Sequence, residues 1–289
     1  EYNLKDIAIK EKVLEPNHPD IATSYNSISL TYRNLGNYKK ALEYNLKCIK
    51  ILEKVLEPNH PDLAISYNNI ASTYYSLGNY EKALEYNIKD ITITEKVLES
   101  NHPDIATAYN NIASIYRSSG NYEKALEYHL KAIAIWEKVL DPKHPNLATL
   151  YNNIALTYSD LGDYKKAMEY SLKSIAIREK VLEPNHPDFA TSYNNIALTY
   201  HSLGEYEKAL EYNLKSIAIR EKVLEPNHPD LATSYMNIAA TYYDLKNYKK
   251  AKYYINKAVN IYKKALPANH PSIKKALSWQ EGIYKAMGE

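Results

Sequence analysis

A strictly regular repeat is the feature of this sequence that most limits its fold. The decapeptide EKVLEPNHPD occupies residues 11–20 and recurs letter for letter at 53–62, 179–188 and 221–230. Its histidine marks the period: His18, His60, His102, His144, His186, His228 and His270 follow at steps of 42 residues, without insertion. In such a chain the length of 289 residues says little about domain number, because each period is one structural unit and units stack.

Within one period, residues 144–185, Pro145 opens a segment in which Leu147, Tyr151, Ile154, Ala155, Tyr158 and Leu161 recur at helical spacing. Proline at the first helical position gives up a donor that has no partner there. The acidic residue after it, as in Pro187-Asp188, suits the positive end of the helix dipole. Gly162 stands where this helix, termed A, should stop, since glycine enters the left-handed conformation at little cost. A second pattern, helix B, puts Tyr164, Met168, Leu172, Ile175 and Leu182 on one face and Tyr170, Ile177 and Val181 on another. One partner helix cannot cover both faces, so the next repeat must, and such units form a solenoid. The expectation is an all-α chain of about thirteen helices. A leading helix B covers residues 1–15, six A/B hairpins cover 16–270, and a trailing helix A covers 271–289. Gln280 and Glu281, where earlier copies carry Ile and a small residue, mark the trailing helix as a cap. The chain opens without Met and inside a repeat, so we expect a piece of a longer protein.

Composition excludes several functions. With 36 basic and 34 acidic residues, the net charge of +2 offers no general field to gather nucleic acid or an anionic membrane, and neither is an expected partner. Cys48 stands alone, so no intrachain disulfide framework exists and a reducing cytoplasm is the expected location. No apolar run approaches the roughly 20 residues that span a bilayer. No phosphate loop, nucleophile elbow or metal-ligand spacing occurs, so no enzymatic activity, metal or cofactor is expected.

The segment YNNIALTYSDLGDYKKAMEY resembles the tetratricopeptide repeat (TPR) in its Asn, small residue, Tyr, Leu-Gly, Tyr and Ala, with a period of 42 rather than 34. With the signature EKVLEPNHPDLA it is similar to the longer subtype found in kinesin light chains and in some receptor sensor arrays. Departures are Ser27 for the second Asn, Met236 for the first Asn, Ser119 for Leu, and Lys246 where Gly would end helix A. The resemblance implies a right-handed superhelix of antiparallel helix pairs whose A helices line a concave groove for peptides or protein partners, without catalysis.

The histidines could suggest zinc, but ligands of one zinc lie about 2 Å from it, whereas equivalent positions on stacked repeats are separated by roughly 8–10 Å. They are instead expected in the B-to-A turn, satisfying backbone groups at the start of helix A. The tyrosines, represented by Tyr151, Tyr158, Tyr164 and Tyr170, are expected in the core rather than stacked on bases.

Copies within one chain can also be compared with each other. Most columns barely change, yet one reads Lys10, Leu52, Thr94, Trp136, Arg178, Arg220, Tyr262, and others read Arg33, Tyr75, Arg117, Ser159, His201, Tyr243 and Asp6, Cys48, Asp90, Ala132, Ser174, Ser216, Ala258. Each variable set lies on a single helical face, which in the resembled fold faces the groove. A fixed scaffold presenting diversified side chains to a ligand is the functional reading; drift after duplication is the alternative. Arg117, His129, Trp136, Arg178, His201 and Arg220 then favour an acidic peptide with an apolar or aromatic anchor. The Asn pairs Asn68/Asn69, Asn110/Asn111, Asn152/Asn153 and Asn194/Asn195, with Asn237, would hold an extended backbone of any sequence, or bond to neighbouring helices and maintain packing. The primary expectation is a non-enzymatic adaptor or sensor array. The second is a scaffold that self-associates end to end through its open N-terminal helix.

Overall fold

Each period begins a helix because His, Pro and a polar residue arrive together. In the computed structural model, which describes residues 2–268 and 270–288, each of the seven histidines that mark the period is the N-cap of an A helix. Each Nδ1 accepts the backbone N–H two residues on, at 3.1 or 3.2 Å. That N–H is one of the donors a helix start leaves without a partner, so the imidazole replaces the usual Ser, Thr, Asp or Asn cap. The ring nitrogen is thereby engaged by the turn, as the sequence reading expects.

The described residues form fourteen helices and no strand. The first seven are α1 (Tyr2–Val13), α2 (Pro19–Asn34), α3 (Tyr38–Val55), α4 (Pro61–Ser76), α5 (Tyr80–Val97), α6 (Pro103–Ser118) and α7 (Tyr122–Val139). The rest are α8 (Pro145–Asp160), α9 (Tyr164–Val181), α10 (Pro187–Ser202), α11 (Tyr206–Val223), α12 (Pro229–Asp244), α13 (Tyr248–Ala265) and α14 (Pro271–Met287). The count exceeds the expected thirteen by one, since a leading helix, six pairs and a trailing helix already make fourteen. They fall into two compact units, residues 1–141 with α1–α7 and residues 142–289 with α8–α14. Among the described residues no helix is long and apolar enough to cross a membrane.

The A-to-B turn is set by three residues. In the first pair, Gly36 takes φ +73° and donates to Arg33 O, while Asn37 donates to Tyr32 O, the paired bonds of a Schellman motif. Asn37 then caps α3 by accepting from Lys40 N at 3.3 Å, so a single residue closes one helix and opens the next. Five of the six turns carry Gly; the last carries Lys246 at φ 59° with the same two backbone bonds.

Within a pair, A and B approach closely because helix B contributes an alanine of 0% exposure at Ala41, Ala83, Ala125, Ala167, Ala209 and Ala251. Opposite lie Ile28, Ile70, Ile112, Ile154, Ile196 and Ile238, also sealed, each contributing about 1.5–3 kcal/mol by leaving water. Tyrosines fill the flank of each pair: Tyr32 stacks on Tyr44 at 5.7 Å and Tyr158 on Tyr170 at 5.6 Å, with Lys47 and Lys173 over the second ring. Their faces are occupied by each other and by lysine.

The other face of helix B meets the next A helix. Ile51 and Leu52 of α3 share a cluster with Leu63, Tyr67 and Ile70 of α4, and Ile217 of α11 shares one with Leu231, Tyr235 and Ile238 of α12. Tyr25, Tyr67, Tyr109 and Tyr235 donate their hydroxyls to Glu11, Glu53, Glu95 and Glu221 of the preceding helix B across the same seam. The constant lysine column also finds a use: Lys96 and Lys222 reach Asn59 and Asn185 in the turn before the neighbouring A helix. At α14, Gln280 donates to Asn256 of α13 at 2.6 Å.

Two substitutions test these local assignments. His186→Ala removes one cap and is expected to cost about 1 kcal/mol, lowering Tm by roughly 2–4 °C in a thermal melt followed by circular dichroism. An unchanged Tm would contradict the capping role. Lys246→Gly relieves a left-handed lysine and is expected to raise the unfolding free energy by about 1 kcal/mol, read as a higher denaturant midpoint with an unchanged m value.

Candidate functional site

The asparagine pairs sit on the A helices and bond to one another from repeat to repeat. Asn69 Nδ2 donates to Asn26 Oδ1 at 2.9 Å and Asn111 to Asn68 at 3.1 Å; in the second unit Asn195 donates to Asn152 at 3.0 Å and Asn237 to Asn194 at 2.9 Å. The second Asn of one A helix thus feeds the first Asn of the previous one, and the ladder ties neighbouring A helices. Met236 lacks the acceptor, and the next copy correspondingly carries Trp279 rather than Asn at the donor position. Asn152 is buried, and Asn68, Asn69, Asn110, Asn111, Asn153, Asn194, Asn195 and Asn237 are half-buried. Each rung uses one donor of one amide and one acceptor of the other, which leaves further hydrogen-bonding capacity on both.

The variable column of helix B has a different fate. Arg178 is buried: its guanidinium donates to Asp188 O at 3.0 Å and to Ser192 Oγ, both on α10. Arg220 repeats the arrangement one period later with Asp230 O at 3.2 Å and Ser234 Oγ at 2.6 Å. Burial lowers the pKa of both guanidinium groups, opposed by Asp188 and Asp230. Lys10 reaches Ser24 Oγ at 2.8 Å, Trp136 donates its indole N–H to Pro103 O at 3.2 Å while buried, and Tyr262 meets Thr233 at 2.8 Å. These side chains close the contacts of helix B with A helices. The expectation that Trp136 and Arg178 are displayed to a ligand therefore fails, because each polar tip is consumed by a main-chain carbonyl.

His129 is likewise 0% exposed, and burial, with Arg117 nearby, pushes its pKa down to about 4. Such a ring is neutral at pH 7 and offers no charge to a peptide carboxylate. His201 is half-buried and contacts Asp244 Oδ2 at 2.8 Å. Arg117 is half-buried. An acidic ligand was expected from these cations, and burial or internal bonding has removed Arg178, Arg220, His129 and His201 from that role.

Three cavities of residues 1–141 open between successive A helices and the B helix that lies between them in sequence. One of about 220 Å³ is bordered by Asn26, Ile65 and Ser66; one of about 330 Å³ by Ile65, Asn68, Asp90, Asp104 and Asn111; and one of about 370 Å³ by Arg33, Tyr75, Asn87 and Asn111. Every one touches a ladder asparagine. Two of the buried groups facing them, Asp90 and Asn87, were not singled out as site residues from sequence. Asn87 Oδ1 has no hydrogen-bond partner among the described residues. Its counterparts Asn45 and Asn213 donate to Thr73 and Thr241, but the matching residue here is Ile115. Reading columns as pairs across the seam, rather than singly, would have exposed both.

The sequence profile of the tetratricopeptide repeat matches residues 7–54, 20–89, 91–129, 104–180, 162–222 and 188–264. Among solved structures, kinesin light chain nearly identical TPR-like repeats from Podosopora anserina align at 26% identity and a TM-score of 0.62, over 72% of this chain and 99% of that one. BtubC (BKLC) from P. vanneervenii aligns at 20% identity and 0.65, over 83% and 93%. A Signal Transduction ATPase with Numerous Domains (STAND) carrying a tetratricopeptide repeat sensor, from Pyrococcus horikoshii, aligns at 22% and 0.71, over 93% of this chain and 40% of that one. These last two likenesses show the fold alone. No curated protein sequence matches the chain. With the helical pairs, their capped turns and the 42-residue period in place, the chain belongs to the tetratricopeptide repeat family, in a form similar to the kinesin light chain repeats.

Proposed function

We propose that this chain is a non-enzymatic protein-binding module, an adaptor or sensor array that takes an extended segment of a partner along the faces of its A helices. The observation that carries the reading is Ile65 of α4. It is 57% exposed and forms the shared wall of two cavities, each with a ladder asparagine at its edge. An apolar side chain between two recesses, next to amides that can bond a main chain whatever its sequence, suits alternate side chains of an extended peptide. The likeness to kinesin light chain repeats and the fold shared with a sensor array support the same class of role.

A second reading, end-to-end self-association, is favoured by α1, where Ile9 and Val13 are 62% and 70% exposed one turn apart. The two differ in what they require of the A helices. Thr107, like Ile65, is exposed and borders the 330 Å³ cavity, so Ile65→Arg/Thr107→Arg obstructs the face without disturbing the core. On an array of extended peptides the parent is expected to capture a subset that the variant binds at least about tenfold more weakly, with Tm preserved. If the parent captures none, or the variant retains the same peptides, the docking face is elsewhere. Mass that rises with concentration equally in both proteins would favour self-association.

A further inference from the structure

Because the repeats copy one another, each site can be judged against its equivalents, and one of them lacks something the others have. In the first copy, Asp6 of α1 is held by Lys10 Nζ at 2.9 Å and by Ser24 Oγ of α2 at 2.7 Å. Two periods on, Asp90 of α5 takes the place of Asp6, but Thr94 stands for Lys10 and Ala108 for Ser24. Both partners are missing at once. In the second unit the corresponding gap between helix B and the next A helix is filled by the guanidinium of Arg178 or Arg220. Around Asp90 the gap is the cavity of about 330 Å³.

Asp90 is 7% exposed. Its Oδ1 accepts from Thr94 at 3.1 Å, one turn along its own helix; its Oδ2 takes no hydrogen bond and no cation lies within ion-pair distance among the described residues. The cavity adds Asp104, a second carboxylate, and apolar walls from Ile65, Val97 and Leu98. Burial raises the Asp90 pKa to about 6; Thr94 opposes the rise and Asp104 adds to it. An ionised carboxylate here faces a desolvation cost that the single Thr94 hydrogen bond offsets only in part.

We propose that this cavity receives a basic side chain, lysine or arginine, from a partner protein, and that its cation fills in trans the place Lys10, Arg178 and Arg220 fill in cis. The alkyl stem lies against Ile65, Val97 and Leu98, and the ammonium or guanidinium donates to Asp90 Oδ2 with Asp104 close by. A charge-assisted bond in a desolvated setting is strong, whereas a neutral or acidic side chain would leave Asp90 buried without a countercharge. The proposal rests on the protein-binding reading above only for what carries the cation; the cavity and its carboxylate are independent of it.

Small probes test the site directly. In an NMR titration of the parent, n-butylammonium and n-butylguanidinium are expected to shift the amides of Asn68, Asp90, Thr94 and Ala108, and n-butanol to bind at least about tenfold more weakly. Asp90→Asn, nearly isosteric and able to keep the Thr94 bond, is expected to erase that preference. Thr94→Arg places in this copy the residue that later copies already house; it is expected to raise Tm and abolish binding of both cations. Failure of the cations to bind the parent, equal binding of n-butanol, or undiminished cation binding by Asp90→Asn overturns the proposal. The peptide array separates the two readings. Cation binding with no peptide captured leaves the cavity assignment standing and removes the peptide-docking one. Peptides captured without preference for Lys or Arg, and retained by Thr94→Arg, do the reverse.

Discussion

A pair of antiparallel helices cannot bury helix B by itself, and everything else in this chain follows from covering its second face. Helix A takes the alanine and isoleucine columns; the remaining stripe of helix B needs the next A helix, which brings its own unpaired surface with it. Stability within each unit is therefore distributed over seams between neighbours. A residue at a seam has to satisfy only the few groups it touches, so it can change from copy to copy as long as it still meets them. Lys10 with Ser24, Arg178 with Ser192 and Arg220 with Ser234 are three such solutions.

This accounts for what could and could not be read from the letters. Period, helix starts and helix stops are local properties, and they were legible: a His-Pro-Asp start and a Leu-Gly-Asn stop have the same meaning wherever they occur. The Lys246 turn, the weakest in sequence, forms with the same bonds because two backbone hydrogen bonds outweigh a mildly strained residue. Depth was not legible. Helical periodicity reports direction around an axis and is silent on how far a guanidinium travels before it meets a carbonyl, so Arg178 and Trp136 look like display residues until Asp188 O and Pro103 O appear at their tips.

The same logic turns attention from the conspicuous residues to the inconspicuous ones. Where a seam is complete, the variable residue is structural. Where a partner is missing, as at Asp90 beside Ala108 or Asn87 beside Ile115, a buried polar group and a cavity remain together. Both groups sit on α5, a B helix, and the cavities beside them reach ladder asparagines on α4 and α6.

The account stands or falls on whether variable residues are held by their own chain across the seam. A double-mutant cycle at Arg220→Met and Ser234→Ala, read by denaturant unfolding, measures this without reference to any ligand. Mutual engagement predicts a coupling of about 1 kcal/mol or more between the two changes. Strictly additive effects would mean that Arg220 does not depend on Ser234, and that the column is free to serve a partner after all.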